Sequence, residues 1–197
     1  MECTFQYDMV FDMSKKDDIL NATLKLVIEK GIHNTPMSLI AKEAGVGMGT
    51  IYNYFESKQE LINALYLKLK EDEAAYMLNN FKSGMSVPQS FFFFWTNILS
   101  YFISHPKEFQ FLEQFYFSPL IALEARQQGA LYFAELTKVY EEGQNQMILK
   151  KGDIIQQIYF THGSLASLAK FHILGDIHLN KEAIKNAVTA AWDALKL

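Results

Sequence analysis

The sequence predicts an all-α protein, a three-helix N-terminal head followed by a larger helical C-terminal domain. Apolar residues recur three and four positions apart through most of the 197 residues. Glycines, prolines and capping residues punctuate those runs. No stretch alternates apolar and polar residues as a half-buried strand does, and there is no internal repeat.

Each helix has its own signals. Ser14 caps the first, which runs to Lys30 with Ile19, Leu20, Leu24, Val27 and Ile28 inward and Gly31 as terminator. Residues 1–13 read as a loose extension, because "MSKKDDIL" from Met13 makes a start of its own. Thr35 is the expected N-cap of a short second helix, with Pro36 at the first helical position. That helix, "MSLIAKEA", stops at Gly45, and a third runs from about Met48 to Phe55. "SKQE", Ser57 to Glu60, is a capping box ahead of Leu61, Leu65 and Leu69, and opens a long helix reaching about Phe81. Further helices are expected over 87–104, 107–117, 119–127, 130–149, 153–174 and 181–196. Gly84, Pro88, Pro106, Pro119, Gly129, Gly152-Asp153, Gly175 and Asn180 punctuate them. The expected division is a head over 14–56 and a body over 57–197.

Composition narrows the function classes. Half of the residues are hydrophobic and 14% aromatic, which supports a substantial core. The single cysteine, Cys3, can form no internal disulfide, which fits a reducing cytoplasm. The N-terminus lacks a signal-peptide pattern. The most apolar run, Phe91 to Ile103, is broken by Thr96, Asn97 and Ser100 and falls short of the roughly 20 residues that span a bilayer. A cytoplasmic protein with no membrane partner is expected. Net charge is −4, residues 14–60 hold six lysines against six acids, and the one arginine is Arg126. Charge alone argues mildly against nucleic acid, so local geometry must decide.

The deciding stretch is "AGVGMGTIYNYFESK", residues 44–58. Its alternating Gly45, Gly47 and Gly49 could suggest a phosphate-cradling loop. A dinucleotide loop needs a strand before it, however, and a Walker loop needs a Gly-Lys-Ser/Thr ending. Here an amphipathic helix precedes the glycines, and Met48 and Thr50 follow them. Helix, tight turn and short helix make a helix-turn-helix, whose second helix enters the DNA major groove. The run "GIHNTPMSLIAKEAGVGMGTIYNYFESKQELINAL", residues 31–65, resembles the tetracycline-repressor (TetR) family of bacterial transcription regulators. The shared pattern is Ile-Ala, Ala-Gly-Val, Gly-Thr, Tyr-x-Tyr-Phe, then Ser-Lys before an acidic residue and a leucine.

Residue chemistry agrees with the roles this resemblance implies. Thr50 and Asn53 share a helix face and can hydrogen-bond base edges, with Met48 and Gly49 opening that helix. Tyr52 offers a ring to a thymine methyl and a hydroxyl to a phosphate. Tyr54 and Lys58 resemble the family's phosphate contacts, and Ser38 adds another. Ile40, Ala44, Val46, Ile51 and Phe55 read as the core of the head. Three positions depart from the pattern: Gly47 replaces a capping serine or threonine, Met48 a polar or basic residue, and Ser38 an arginine. Few phosphate contacts and weak non-specific binding follow.

The body suggests a second partner. "SFFFFWTNILSYF", Ser90 to Phe102, carries aromatics on every side, so its helix must be central. In the family the corresponding helices enclose an effector pocket, which here implies a lipophilic small molecule among Trp95, Leu99, Phe102, Phe111, Phe115, Tyr116, Tyr159 and His162. The last two helices suit self-association. Gly163, Ser164, Ala166, Ser167 and Ala169 form a small-residue surface, and Ala183, Ala187, Ala191 and Ala194 line up beside a stripe of Ile184, Val188, Trp192 and Leu195. A homodimer would place two recognition helices on two half-sites of a palindromic operator.

Enzyme chemistry has little support. His172, Asp176 and His178 lack a further metal ligand, and Cys3 lacks a base. No catalytic residue, metal or cofactor is expected. The expectation is a ligand-released repressor. Its rivals are a DNA binder of the same type without an effector, and a helical lipid-binding protein with a degenerate DNA head.

Overall fold

Helix signals dominate the sequence, and the computed structural model is built from helices accordingly. It describes the backbone of residues 2–197 and side chains from Lys15 onward. Among the described residues the elements are α1 (Glu2–Lys30), α2 (Met37–Glu43), α3 (Met48–Tyr54), α4 (Lys58–Leu78) and α5 (Val87–Ser104). They continue as α6 (Pro106–Phe115), α7 (Leu123–Leu131), α8 (Ala134–Asn145), α9 (Ile154–Leu174) and α10 (Lys181–Leu195). An isolated antiparallel bridge between Leu149 and Lys196 supplies the extended pairing among them. The helical backbone begins at Glu2, upstream of the expected Ser14 cap. The side chains of that cap and of the extension lie outside those described.

The chain forms two units, Met1–Leu69 with Gln110–Gln127, and Lys70–Phe109 with Gln128–Leu197. The boundary therefore falls within α4, α6 and α7 rather than at the expected 56/57 junction. Hydrophobic burial explains this for the first unit. Its core joins Ile19, Leu24, Val27, Ile40, Ile51 and Phe55 to Leu61, Leu65 and Leu69 of α4 and to Phe111, Phe115, Ile121 and Ala125. Within it Asn63 acts as a two-sided clip. Its Nδ2 donates to the Leu120 carbonyl at 2.8 Å, and its Oδ1 accepts from the Ala122 N–H at 2.8 Å. Arg126 donates from Nη2 to the Ile121 carbonyl at 2.9 Å. These bonds hold 118–122 as a turn, so α7 starts at Leu123 and not at the expected 119.

The second unit is organised by α5, which packs against α8, α9 and α10. Phe91, Phe94, Trp95, Ile98, Leu99, Tyr101 and Phe102 are all buried, as its rings on every side require. A hydrogen-bonded chain crosses this core. Trp95 Nε1–H donates to the Tyr140 hydroxyl at 3.0 Å, which donates to Thr161 Oγ1 at 3.1 Å. Asp153 and Asn180 cap α9 and α10 as expected, accepting from the Gln156 and Ala183 N–H groups at 2.9 Å each. α9 ends at Gly175, whose φ of +86° takes the left-handed conformation.

Three further boundaries differ from the sequence expectation. Thr35 is buried, and its hydroxyl donates to the Gly31 carbonyl at 2.9 Å, so the cap position of α2 falls to Pro36. The carbonyls ending α1 need donors, and Thr35 supplies one. α4 stops at Leu78 rather than Phe81, where Asn80 turns left-handed at φ +66°. α8 is shorter than 130–149, because the N–H groups of Ile148 and Leu149 turn back onto the Gly143 carbonyl at 2.9 and 3.0 Å.

Candidate nucleic-acid interface

The first three helices fix one short helix and leave its outer face open. α2 packs on α1 and α3 on α2. Gly45 makes the turn between them with a φ of +67°, where a side chain would be strained, and the Val46 N–H closes it onto the Ala41 carbonyl at 2.9 Å. A Lys25–Glu43 ion pair at 2.5 Å ties α1 to the end of α2. The contact lowers the Glu43 carboxyl and raises the Lys25 ammonium relative to their ordinary pKa values, through the hydrogen bond first and charge second.

α3 is anchored by Ile51, which is buried, and by Phe55 just beyond its end. Helical geometry then turns Met48, Gly49, Tyr52 and Asn53 outward, and all four are exposed. Thr50 is half-buried at the edge of that face. Tyr54 is partly buried and packs against the core of the first unit. Ser38 is exposed on α2. Gly47 precedes α3 without a side-chain cap, as the departure noted above requires. The outward face thus offers a hydroxyl, an amide, a phenol and a thioether, a set able to read base edges.

Lys58 opens α4 beside this face. Its ammonium donates to the Ile32 carbonyl in the turn after α1, and partial burial pushes its pKa down. An ammonium has three donors, so two remain for an anion. Half of the expected capping box forms at this terminus: the Glu60 N–H donates to Ser57 Oγ at 3.1 Å, while the Glu60 carboxylate reaches one residue further back and accepts from the Glu56 N–H at 2.7 Å. Three structural roles were not read from the sequence: the Lys58–Ile32 bond, the Asn63 clip and the Arg126 bond. Only Asn63 left a sign, as the polar residue interrupting the apolar run 61–65.

The residues expected to line an effector pocket belong to both units. Trp95, Leu99 and Phe102 are buried in the core of the second unit, where the Phe102 ring meets His162 at 5.5 Å. Tyr159 is half-exposed on α9. Phe111 and Phe115 stack at 4.5 Å in the core of the first unit, and Tyr116 stands edge-on to Phe117 at 4.9 Å. His172 and His178 lie 5.7 Å apart, and among the described residues no three His, Cys, Asp or Glu side chains are grouped to hold a metal ion.

Two family models match this chain. "Bacterial regulatory proteins, tetR family" matches residues 19–65, and "Tetracyclin repressor-like, C-terminal domain" matches residues 87–196. The chain belongs to the TetR family. TetR-family proteins are transcription regulators that bind DNA through the helix-turn-helix and are not enzymes; they usually act as dimers with small-molecule effectors. This TetR-family chain is 26% identical over 196 residues to an HTH-type transcriptional regulator of Haemophilus influenzae, covering 91% of this chain and 95% of that one. It is 42% identical over 48 residues to the fatty acid metabolism regulator protein of Bacillus subtilis, a match spanning 24% of this chain and only 25% of that relative. In fold it is similar to a TetR family transcription regulator from Marinobacter aquaeolei, with a TM-score of 0.88, 24% identity, and coverage of 95% of this chain and 98% of that structure. No helix among the described residues is long and apolar enough to cross a membrane.

Proposed function

We propose that this chain is a cytoplasmic repressor that binds a palindromic operator as a homodimer and is released by a lipophilic small molecule. The face of α3 carries the DNA half of this reading: Ile51 is buried, while Met48, Tyr52 and Asn53 are exposed. In this reading Thr50 and Asn53 contact base edges and Tyr52 meets a thymine methyl. Ser38, Tyr54 and the two remaining donors of Lys58 meet phosphates.

The dimer reading rests on α9. Phe160, Gly163, Ser164, Ser167, Phe171 and Leu174 recur at helical spacing and are all exposed, an apolar and small-residue stripe for a second copy. In this reading α10 contributes less than α9. Ile184, Val188, Ala191 and Leu195 are buried within their own protomer, leaving Ala194 exposed.

The effector reading draws on the aromatic content of the second unit, where Leu99, Phe102 and His162 belong together. One observation favours the rival without an effector: Trp95 is buried and its indole N–H is already satisfied by Tyr140. Fluorescence anisotropy against the intergenic DNA flanking the gene tests the DNA reading, with specific binding over a scrambled duplex expected. Equal affinity for both would overturn it. Thermal shift against fatty acids, acyl-CoAs and planar aromatics separates the effector reading from its rival.

A further inference from the structure

A buried carboxylate, a buried phenol and several rings come together within the second unit. Glu73 of α4 is 2% exposed, and the Lys70 ammonium meets it at 2.7 Å. The same ammonium lies over the ring of Phe133, 4.2 Å from its centroid. Tyr101 of α5 is also 2% exposed, and its buried hydroxyl has no hydrogen-bond partner. The Tyr101 ring stacks on His105 at 4.4 Å and tilts against Tyr76 at 5.5 Å. Burial, then the charges of Glu73, Asp72 and Glu108, push the Tyr101 phenol above its ordinary pKa, so the hydroxyl keeps its proton.

Two features point to a ligand and to its charge. Native proteins leave few buried polar atoms unpaired, and the Tyr101 oxygen is such an atom. One helical turn before Tyr76, whose ring meets that of Tyr101, a carboxylate and a ring face already hold a cation, the ammonium of Lys70. The Lys70 side chain is 18% exposed and flexible, so its ammonium can retreat to water and leave both partners.

We propose that Glu73, Tyr101, Tyr76 and Phe133 form the head-group subsite for a protonated amine carried on an apolar body. The amine displaces the Lys70 ammonium from Glu73, donates an N–H to the Tyr101 oxygen and lies against the rings. An acid would meet the Glu73 carboxylate, and a quaternary ammonium would bring no N–H to Tyr101. The proposal rests on the effector reading above and adds the charge of the ligand.

A matched trio tests it on the full-length protein: 4-phenylbutylamine, 4-phenylbutanol and 4-phenylbutyrate, read by thermal shift and by release of bound DNA. The amine should stabilise the protein and release DNA, with the alcohol and the acid much weaker. Glu73→Gln and Tyr101→Phe, each checked for folding by circular dichroism, should each weaken amine binding about tenfold. Lys70→Ala should lose stability that the amine restores. Equal amine binding by wild type and the folded Glu73→Gln and Tyr101→Phe variants would overturn the subsite. If the acid, the alcohol or another lipophile binds and the amine does not, the subsite falls while the effector reading stands. If the amine and a broad lipophilic library both fail, the two fall together.

Discussion

Lys58 places two demands on one ammonium, a bond to the Ile32 carbonyl and, in the proposed complex, a phosphate. Lys58→Ala should therefore weaken binding about equally on all DNA sequences and reduce the salt slope by roughly one unit per protomer. It should also lower the melting temperature, since the Ile32 carbonyl loses its donor; Lys58→Arg should recover more of the salt slope than Lys58→Met. Asn53→Ala should instead relax preference at particular bases, by about 1–3 kcal/mol per half-site, measured by competition with single-base operator variants. The exposure of Asn53 was legible in the sequence, because its phase against Ile51 and Phe55 sets the face it occupies. The carbonyl bond of Lys58 was not, because it joins residues 26 positions apart. In the second core, Tyr140→Phe removes the acceptor of the Trp95 N–H and the donor to Thr161. A loss of about 1–3 kcal/mol is expected by urea denaturation, with a shift in Trp95 emission.

Helix ends divide into those written locally and those imposed by packing. Asp153, Asn180 and Gly175 act within a turn of their own residues, and each lies where the sequence placed it. α2 and α7 begin elsewhere because groups outside them intervene: the Thr35 hydroxyl is drawn to the Gly31 and Leu26 carbonyls at the end of α1, and Asn63, nearly sixty residues away in sequence, holds the turn before α7. Gly143 in α8 is of the second kind. Alanine is favoured over glycine in a helix by up to about 1 kcal/mol. A Cβ at Gly143 would nevertheless stand 2.6 Å from Leu149 Cδ1 and 3.1 Å from Val87 Cγ1. Overpacking of a buried contact costs about 1–3 kcal/mol, so Gly143→Ala should destabilise the protein in urea denaturation.

For the whole molecule, α9 and α10 make separable predictions. Gly163→Glu with Ser167→Glu adds charge to the exposed face of α9, which costs several kcal/mol if a second copy covers it. Sedimentation should then find folded monomers, and operator affinity should fall. An unchanged dimer would move the interface elsewhere. Ala191→Glu should unfold the protein instead of dissociating it, because Ala191 is only 5% exposed within its own protomer. Sequence periodicity identified both stripes of α10, yet a stripe does not say whether its neighbour lies in the same chain. Ala191 is buried in the core of its own protomer, and the outer face of α9 is exposed.

The Asn63 clip and the shared core around it bear on how such regulators can be cut and recombined. Residues 110–127 contribute Phe111, Leu112, Phe115, Ile121 and Ala125 to the same core as the DNA-reading helices. A chimera spliced at residue 57 would carry the recognition helix of one parent and the supporting apolar wall of another. A head excised at that point would present bare hydrophobic surface and a tendency to aggregate. Transplanting the operator specificity of this chain therefore means moving two segments, or altering only the exposed positions of α3.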